Sequence, residues 1–222
     1  YTQLPLVVIP IVGGVMGLNK FFKGAKVTSF GSGLLCLSLG MVVWGVGLGM
    51  WTYYIWQGTT VPYPSLADYV FIWSPVLWVV GLISLSRVVG GPYGLQRFSD
   101  WVIGLVTTLL VAVGAYYLLV VVVHGNILGA PGETSMQLFF DYAYTAEILA
   151  VTTIVGAMLG FSRKYLGGRY RGSVILLSMG FVTHFLAFVF FADTIAKGTY
   201  FNGNVADVLY TIAVFLESLG IV

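Results

Sequence analysis

The sequence predicts an all-α integral membrane protein with seven transmembrane helices. Of its 222 residues, 59% are hydrophobic and 8% are charged, whereas soluble domains carry about 25% charged residues. The 29 glycines and 16% aromatic residues are typical of multi-span proteins, in which glycine permits close helix contact and aromatic rings lie at the interfaces. This composition excludes a soluble globular enzyme and a disordered tail, and the net charge of +2 excludes a nucleic-acid-binding protein.

The seven helices are read from apolar runs long enough to cross a bilayer. A hydrocarbon core about 30 Å thick needs about 20 apolar residues in a helix. Such runs fall at residues 3–19, 30–54, 69–86, 101–123, 136–161, 173–195 and 205–222. The breaks between them have the glycine and proline chemistry of turns, as at 58–64, 90–94, 129–132 and 197–204. We therefore expect a multi-pass protein of the cell membrane, in contact with lipid.

The distribution of lysine and arginine predicts the orientation. One side of the predicted bundle holds Lys20, Lys23, Lys26, Arg87, Arg97, Arg163, Lys164, Arg169 and Arg171. The other side holds only Lys197. Because basic loops stay in the cytoplasm, the N-terminus is expected outside and the C-terminus in the cytoplasm.

The chain matches itself, which predicts an internal duplication. At an offset of 140 residues, Ser38, Gly40, Val42, Gly58 and Thr59 recur as Ser178, Gly180, Val182, Gly198 and Thr199. At an offset of 139, Ala67, Asp68, Leu77 and Gly81 recur as Ala206, Asp207, Leu216 and Gly220. We divide the single membrane domain, residues 1–222, into repeat one at 1–86, a linking helix at 100–124 and repeat two at 136–222. A single intervening helix gives both repeats the same orientation, so the repeats are parallel.

Two helix starts carry a matching polar pattern. Ser65 followed by Asp68 has the spacing of a capping box, and Asn204 with Asp207 repeats it. The main interpretation is therefore helix capping, with an acidic residue favoured at the positive helix end. The alternative is that these carboxylates bind a ligand at the outer face.

A longer segment around this pattern resembles a known class of membrane domain. The residues are the Trp-Thr-Tyr-Tyr run at 51–54, Gly58, the Pro-Tyr-Pro-Ser-Leu-Ala-Asp run at 62–68, and the aromatic-rich stretch at 69–75. They resemble the multi-span N-terminal sensor regions of bacterial and archaeal signalling proteins, which precede histidine kinase or diguanylate cyclase modules. The resemblance implies a sensor. No such output module lies within these residues, so we expect a freestanding relative or the membrane part of a longer protein.

Three ionisable residues are expected near mid-bilayer depth, namely Glu147, His184 and Glu217. A charge at that depth costs at least ~2.5 kcal/mol, so such residues face the bundle interior and usually have a function. The duplication places Trp44 and Trp78 at the positions of His184 and Glu217 in repeat one. These five residues form the predicted ligand- or proton-binding site.

Several interpretations of this site stay open. The polar residues could act only as hydrogen-bonded links between helices, as a proton-linked site, as an anchor for a small or lipidic ligand, or as a metal site. Metal is the weakest, since no metal-binding spacing is present. Asp141 and Asp193 are expected to line an outer vestibule or to lie exposed at helix ends. No lysine lies in the seventh span and His124 is far in depth from His184, so no retinal, haem or other cofactor is expected.

The leading functional hypothesis is a non-enzymatic sensor or binding module for a small or lipidic ligand held in the helix bundle. The alternatives are a small-solute or proton-coupled transporter, and a structural or accessory subunit of a larger membrane complex. Small-xxx-small glycine pairs permit close packing within one bundle, in a homo-oligomer or with a membrane partner. They are Gly13 with Gly17, Gly45 with Gly49, and Gly156 with Gly160.

Overall fold

The computed structural model describes residues 3–24, 29–58, 61–88, 114, 134–165 and 171–222. Within these residues the secondary structure is helical, without strands. The helices are α1 (Gln3–Gly24), α2 (Ser29–Trp56), α3 (Leu66–Phe71), α4 (Trp73–Val88), α5 (Ser135–Tyr165), α6 (Arg171–Ala196) and α7 (Val205–Ile221). The predicted fourth span and the loops at 90–94 and 129–132 lie outside the described residues, as do Lys26, Arg97, His124 and Arg169.

Five of the described segments are long and apolar enough to cross a membrane. They are Gln3–Gly24, Phe30–Trp56, Leu66–Arg87, Ser135–Met158 and Arg171–Ala196. Helices α3 and α4 together make one of these spans, while α7 is shorter, at 17 residues. The prediction of an all-helical fold is therefore confirmed for the described residues, and five of their helical segments have the length and hydropathy that a membrane span needs.

The helices pack in a closed order. Helix α1 contacts α2, α2 contacts α4, α4 contacts α5, α5 contacts α6, and α6 contacts α7. Helix α1 also contacts α7, which closes the ring among the described helices. At one end of the bundle, a hydrogen bond from Gln3 to Asp207 joins the starts of α1 and α7, and one from Tyr144 of α5 to Asp68 joins α5 to the start of α3. We call this end of the bundle the capped end.

Glycines allow the closest helix contacts. A Cβ atom added at Gly180 would lie 2.6 Å from Cγ and 2.9 Å from the backbone nitrogen of Glu217. Gly40 lies against the indole of Trp78 in the same manner. Among the predicted glycine pairs, Gly13 and Gly17 face side chains of the same chain, so this pair serves packing within the bundle.

The apolar core lies away from the capped end. It is built from Leu34, Leu37, Met41, Leu82, Leu85, Val155, Met158, Val174, Leu177 and Ile221, together with neighbours nearer the middle. These residues come from the starts of α2 and α6 and from the ends of α4, α5 and α7. The cavity that forms the candidate site lies toward the capped end.

Candidate functional site

A cavity of about 130 Å³ opens in the bundle between the capped end and the core. An engineered protein cavity of about 150 Å³ holds a benzene molecule, so this one has room for a small organic group. Its walls are mainly aromatic and include Trp44, Trp51, Phe71, Trp78, Phe191 and Tyr210. Polar groups lie toward its two ends, where Asp68 and Asp207 line one and His184 the other.

His184 and Glu217 form the polar pair at the inner end. Nδ1 of His184 lies 3.1 Å from Oε1 of Glu217, and the side chains are 2% and 0% exposed, respectively. The close approach of α6 and α7 at Gly180 brings these residues together. Oε2 of Glu217 is buried without a hydrogen-bond partner among the described residues. One hydrogen bond to histidine is therefore the polar contact that the described residues give this carboxyl.

Three aromatic rings surround His184. The ring centroids of Trp44, Trp78 and Tyr210 lie 4.8, 5.2 and 5.1 Å from the imidazole centroid, each in an edge-to-face arrangement. Edge-to-face contacts within 7 Å are favourable beyond the area they bury. The structure thus brings together four of the five residues predicted for the site, with Trp44 and Trp78 against His184 and Glu217 behind it.

Glu147 lies apart from the other predicted site residues. It is half-buried on α5 and does not line the cavity. Its Oε2 atom is buried without a hydrogen-bond partner among the described residues. The predicted trio is therefore a His184–Glu217 pair with a separate glutamate.

Asp68 combines the capping position with a place in the cavity wall. Its Oδ2 atom accepts hydrogen bonds from the backbone N–H of Ser65 at 2.6 Å and from the Ser65 hydroxyl at 2.7 Å. Its Oδ1 atom accepts one from the Tyr144 hydroxyl at 2.8 Å. Ser65 is the N-cap of α3, and Asp68 is only 5% exposed.

Asp207 has the same arrangement at the start of α7, where Asn204 is the N-cap. Its Oδ2 atom accepts hydrogen bonds from Gly203 N at 2.6 Å and from Gln3 Nε2 at 2.8 Å. Its Oδ1 atom accepts one from the Tyr200 hydroxyl at 3.1 Å. Burial, together with the charge of Asp207 and this hydrogen bond, raises the pKa of Tyr200 well above its ordinary value. Tyr200 therefore remains a donor across the physiological range.

Asp141 and Asp193 do not line this cavity. Asp141 accepts a hydrogen bond from the Tyr63 hydroxyl. Asp193 pairs with Lys197, one helical turn further on, at 2.8 Å. Both carboxylates therefore have partners away from the cavity.

The cavity takes its walls from matching positions of the two predicted repeats. At an offset of 140 the pairs of lining residues are Trp44 with His184, Leu48 with Phe188, and Trp51 with Phe191. At an offset of 139 the pairs are Asp68 with Asp207, and Phe71 with Tyr210. The same two offsets relate the repeats in the sequence.

Sequence analysis missed several lining residues. Tyr144 and Gln3 reach Asp68 and Asp207 from neighbouring helices, and no local motif marks either residue. Tyr210 was recoverable, because it precedes the predicted site residue Glu217 by about two helical turns and so shares its face of the helix.

The side chains around the cavity suit the binding of an organic ligand better than the coordination of a metal ion. Within the described residues no group of three or more His, Cys, Asp or Glu side chains is placed to hold a metal ion. An aromatic cavity with carboxylates at one end and a histidine at the other fits a small organic ligand. No family model, curated protein or solved structure matches the chain.

Proposed function

We propose that this protein is a non-enzymatic membrane sensor or binding module that takes a small or lipidic ligand into the cavity. The observation that carries the proposal is the aromatic cavity with His184 at its inner end. Ligand sites are concave and largely apolar, with a few convergent polar groups, and this cavity has that composition. Glu217 fixes the imidazole from behind, so a bound ligand meets an oriented histidine.

The proposed architecture is seven spans, with two parallel three-helix repeats joined by the fourth. Contacts at matching positions support it, since Gly40 lies against Trp78 while Gly180 lies against Glu217. Two further pairs correspond in the same way, namely Gly81 with Leu37 and Gly220 with Leu177. The order of helix contacts repeats as well, because α1–α2, α2–α4 and α4–α5 correspond to α5–α6, α6–α7 and α7–α1.

The proposed orientation puts the capped end outside the cell. Lys20 lies at the opposite end, where it donates a hydrogen bond to the Val222 carbonyl oxygen. Since basic residues favour the cytoplasmic side, this contact supports a cytoplasmic position for the end of α7 as well. A ligand would then reach the cavity from outside.

A ligand in this cavity would act on both halves at once. His184 belongs to the second half, and its ring packs on Trp44 and Trp78 of the first half. Binding would therefore favour one arrangement of the two halves over another, since a ligand shifts an equilibrium by its differential affinity for the states. Helix contacts would pass this change to a partner or an attached module.

Native mass spectrometry of the protein in a mild detergent tests the proposal. We expect the wild type to carry extra mass that a cavity-filling Leu48→Trp variant loses. Val46→Trp is the matched control, because Val46 lies two residues away on the same helix and is 42% exposed. Glu217→Gln should weaken retention without abolishing it, since the amide still bonds to His184. Bare protein in all four samples would contradict a prebound ligand.

A transporter is the second candidate, and the matching wall positions favour it. Transporters built from repeats bind substrate at the repeat interface near the bilayer midplane, and this cavity takes paired residues from both halves. Proteoliposomes distinguish the two functions. Solute flux that disappears in Leu48→Trp and persists in Val46→Trp would support transport. Binding without flux would support the sensor or binding module instead.

A further inference from the structure

We propose that the ligand is a small organic cation, an ammonium group held between aromatic faces and the carboxylates of Asp68 and Asp207. This inference rests on the proposed function and names the chemical class that the cavity selects. Its basis is the charge balance of the cavity together with the composition of its walls.

The two carboxylates have only neutral partners among the described residues. Asp207 Oδ2 accepts from the backbone N–H of Gly203 and from the amide of Gln3, and both of these donors are uncharged. Asp68 likewise accepts from an N–H group and two hydroxyls. Among the described residues that line the cavity there is no lysine or arginine.

Because these buried carboxylates have no cationic partner in the described part of the chain, the capped end of the cavity favours a positive ligand. Burying an unpaired charge is costly, and an opposite charge nearby removes much of that cost. Each carboxylate has about four acceptor sites and uses three with protein donors, so each keeps capacity for a ligand N–H group or a close cationic contact. An anionic ligand would meet repulsion from both carboxylates.

The walls add a second attraction for a cation. Aromatic faces within about 6 Å attract ammonium groups, and aromatic cages recognise quaternary ammonium ligands in this manner. Near Asp207, the rings of Phe191 and Tyr200 lie 5.1 Å apart, and Trp51 packs on Phe191 at 6.4 Å. Large organic cations suit these walls better than sodium, which prefers a shell of oxygen ligands.

Choline and its neutral isostere 3,3-dimethylbutan-1-ol test the charge directly. Both have a hydroxyl and a similar shape, and only choline carries the positive charge. Calorimetric titration should use a maltoside detergent, which contains no ammonium group, at fixed sodium chloride concentration. We expect choline to bind at least about tenfold more tightly than the isostere, equivalent to about 1.4 kcal/mol.

Variants assign the preference to the carboxylates. Asp68→Asn and Asp207→Asn should each reduce the choline preference several-fold, and the double variant should abolish it. Asp193→Asn is the matched control, because this carboxylate lies near the end of α6 and outside the cavity. If the Asn variants fail to fold, Trp51→Leu serves instead, since it removes an aromatic face and should weaken choline more than the isostere.

The outcomes separate this inference from the proposed function. If choline and the isostere bind equally well to the wild type and neither binds to Leu48→Trp, the cavity binds a neutral ligand and the proposal of a cation is overturned. Failure of both compounds to bind, with no extra mass in the native spectrum, would overturn the proposed function as well. Displacement of choline by short-chain phosphatidylcholine would assign the ammonium to a lipid headgroup, and lack of displacement would assign it to a free cation. Both of these results support recognition of ammonium.

Discussion

Replacing His184 by leucine removes the hydrogen bond that the described residues give to Glu217, and a double-mutant cycle measures what that bond contributes. The partner change is Glu217→Met, because Gly180 lies directly over Glu217 Cγ and an unbranched side chain fits there. Each single variant leaves one buried polar group without its partner, while the double variant leaves none. The three variants and the wild type complete the cycle.

The expected magnitude follows from burial. Hydrogen bonds between membrane helices average about 0.6 kcal/mol and reach about 1.7 kcal/mol. His184 and Glu217 are 2% and 0% exposed, so their bond belongs at the upper end of that range. Leaving a buried polar group unpaired costs about 1–3 kcal/mol. We expect each single change to cost about 2 kcal/mol and the double change about 1.5 kcal/mol less than the sum.

Equilibrium unfolding in mixed micelles, followed by tryptophan fluorescence, measures the cycle. Glu217→Gln provides a control, because an amide retains a hydrogen bond to histidine and should cost less than Glu217→Met. Single costs that add to the double cost within about 0.5 kcal/mol, as for independent sites, would refute the coupling. His184 and Glu217 would then be neighbours without an energetic link.

Three further predictions concern packing, pH and the buried carboxylates. Gly180→Ala should destabilise the fold by about 1–3 kcal/mol through overpacking. Gly172→Ala in the same helix, where nothing lies within 4 Å of an added Cβ atom, should leave the free energy of unfolding unchanged. Equal effects of the two changes would contradict the close contact at Gly180. The pKa of Tyr200 is raised in the folded protein, so the protonated hydroxyl contributes its full stabilisation below about pH 10. This contribution decreases as the pH rises further, because tyrosine in the unfolded chain ionises first. The free energy of unfolding of Tyr200→Phe should therefore fall by up to about 1 kcal/mol less than that of the wild type between about pH 10 and pH 11, because solvent screens part of the effect at this partly exposed side chain. Parallel pH curves for the two proteins would contradict this. Asp207→Asn should cost about 1–3 kcal/mol, since it disturbs one buried and two part-buried hydrogen bonds of this carboxylate. Asp193→Asn, at an exposed ion pair, should stay within about 0.5 kcal/mol in the same thermal unfolding series, and a reversed order would count against the burial argument.

Much of the helical architecture was predictable because length and hydropathy act locally. The apolar run at 30–54 corresponds to α2, Ser29–Trp56, and Gly58 ends that segment with a positive φ angle of 68°. Its counterpart Gly198 has a φ angle of 64° after α6. Span depth also placed His184 and Glu217 at one level, and depth does not depend on how the helices are rotated.

Helix rotation is the part that the sequence did not provide. Glu147 was expected at a similar depth, but it does not reach the cavity. Asp68 was interpreted mainly as a cap. Its place in the cavity wall and its hydrogen bond from the Tyr144 hydroxyl of α5 depend on how the helices are rotated. Helix-start chemistry is local, whereas the shared cavity arises only when six helical segments pack in order.

A density map of the purified protein, determined in a choline-free detergent with choline added, tests the central claim most directly. The proposed function predicts a compact non-protein feature in the cavity between Asp68, Asp207 and His184, absent from a map of Leu48→Trp. A cavity closed by direct contact of the surrounding rings, with no such feature in either map, would contradict it.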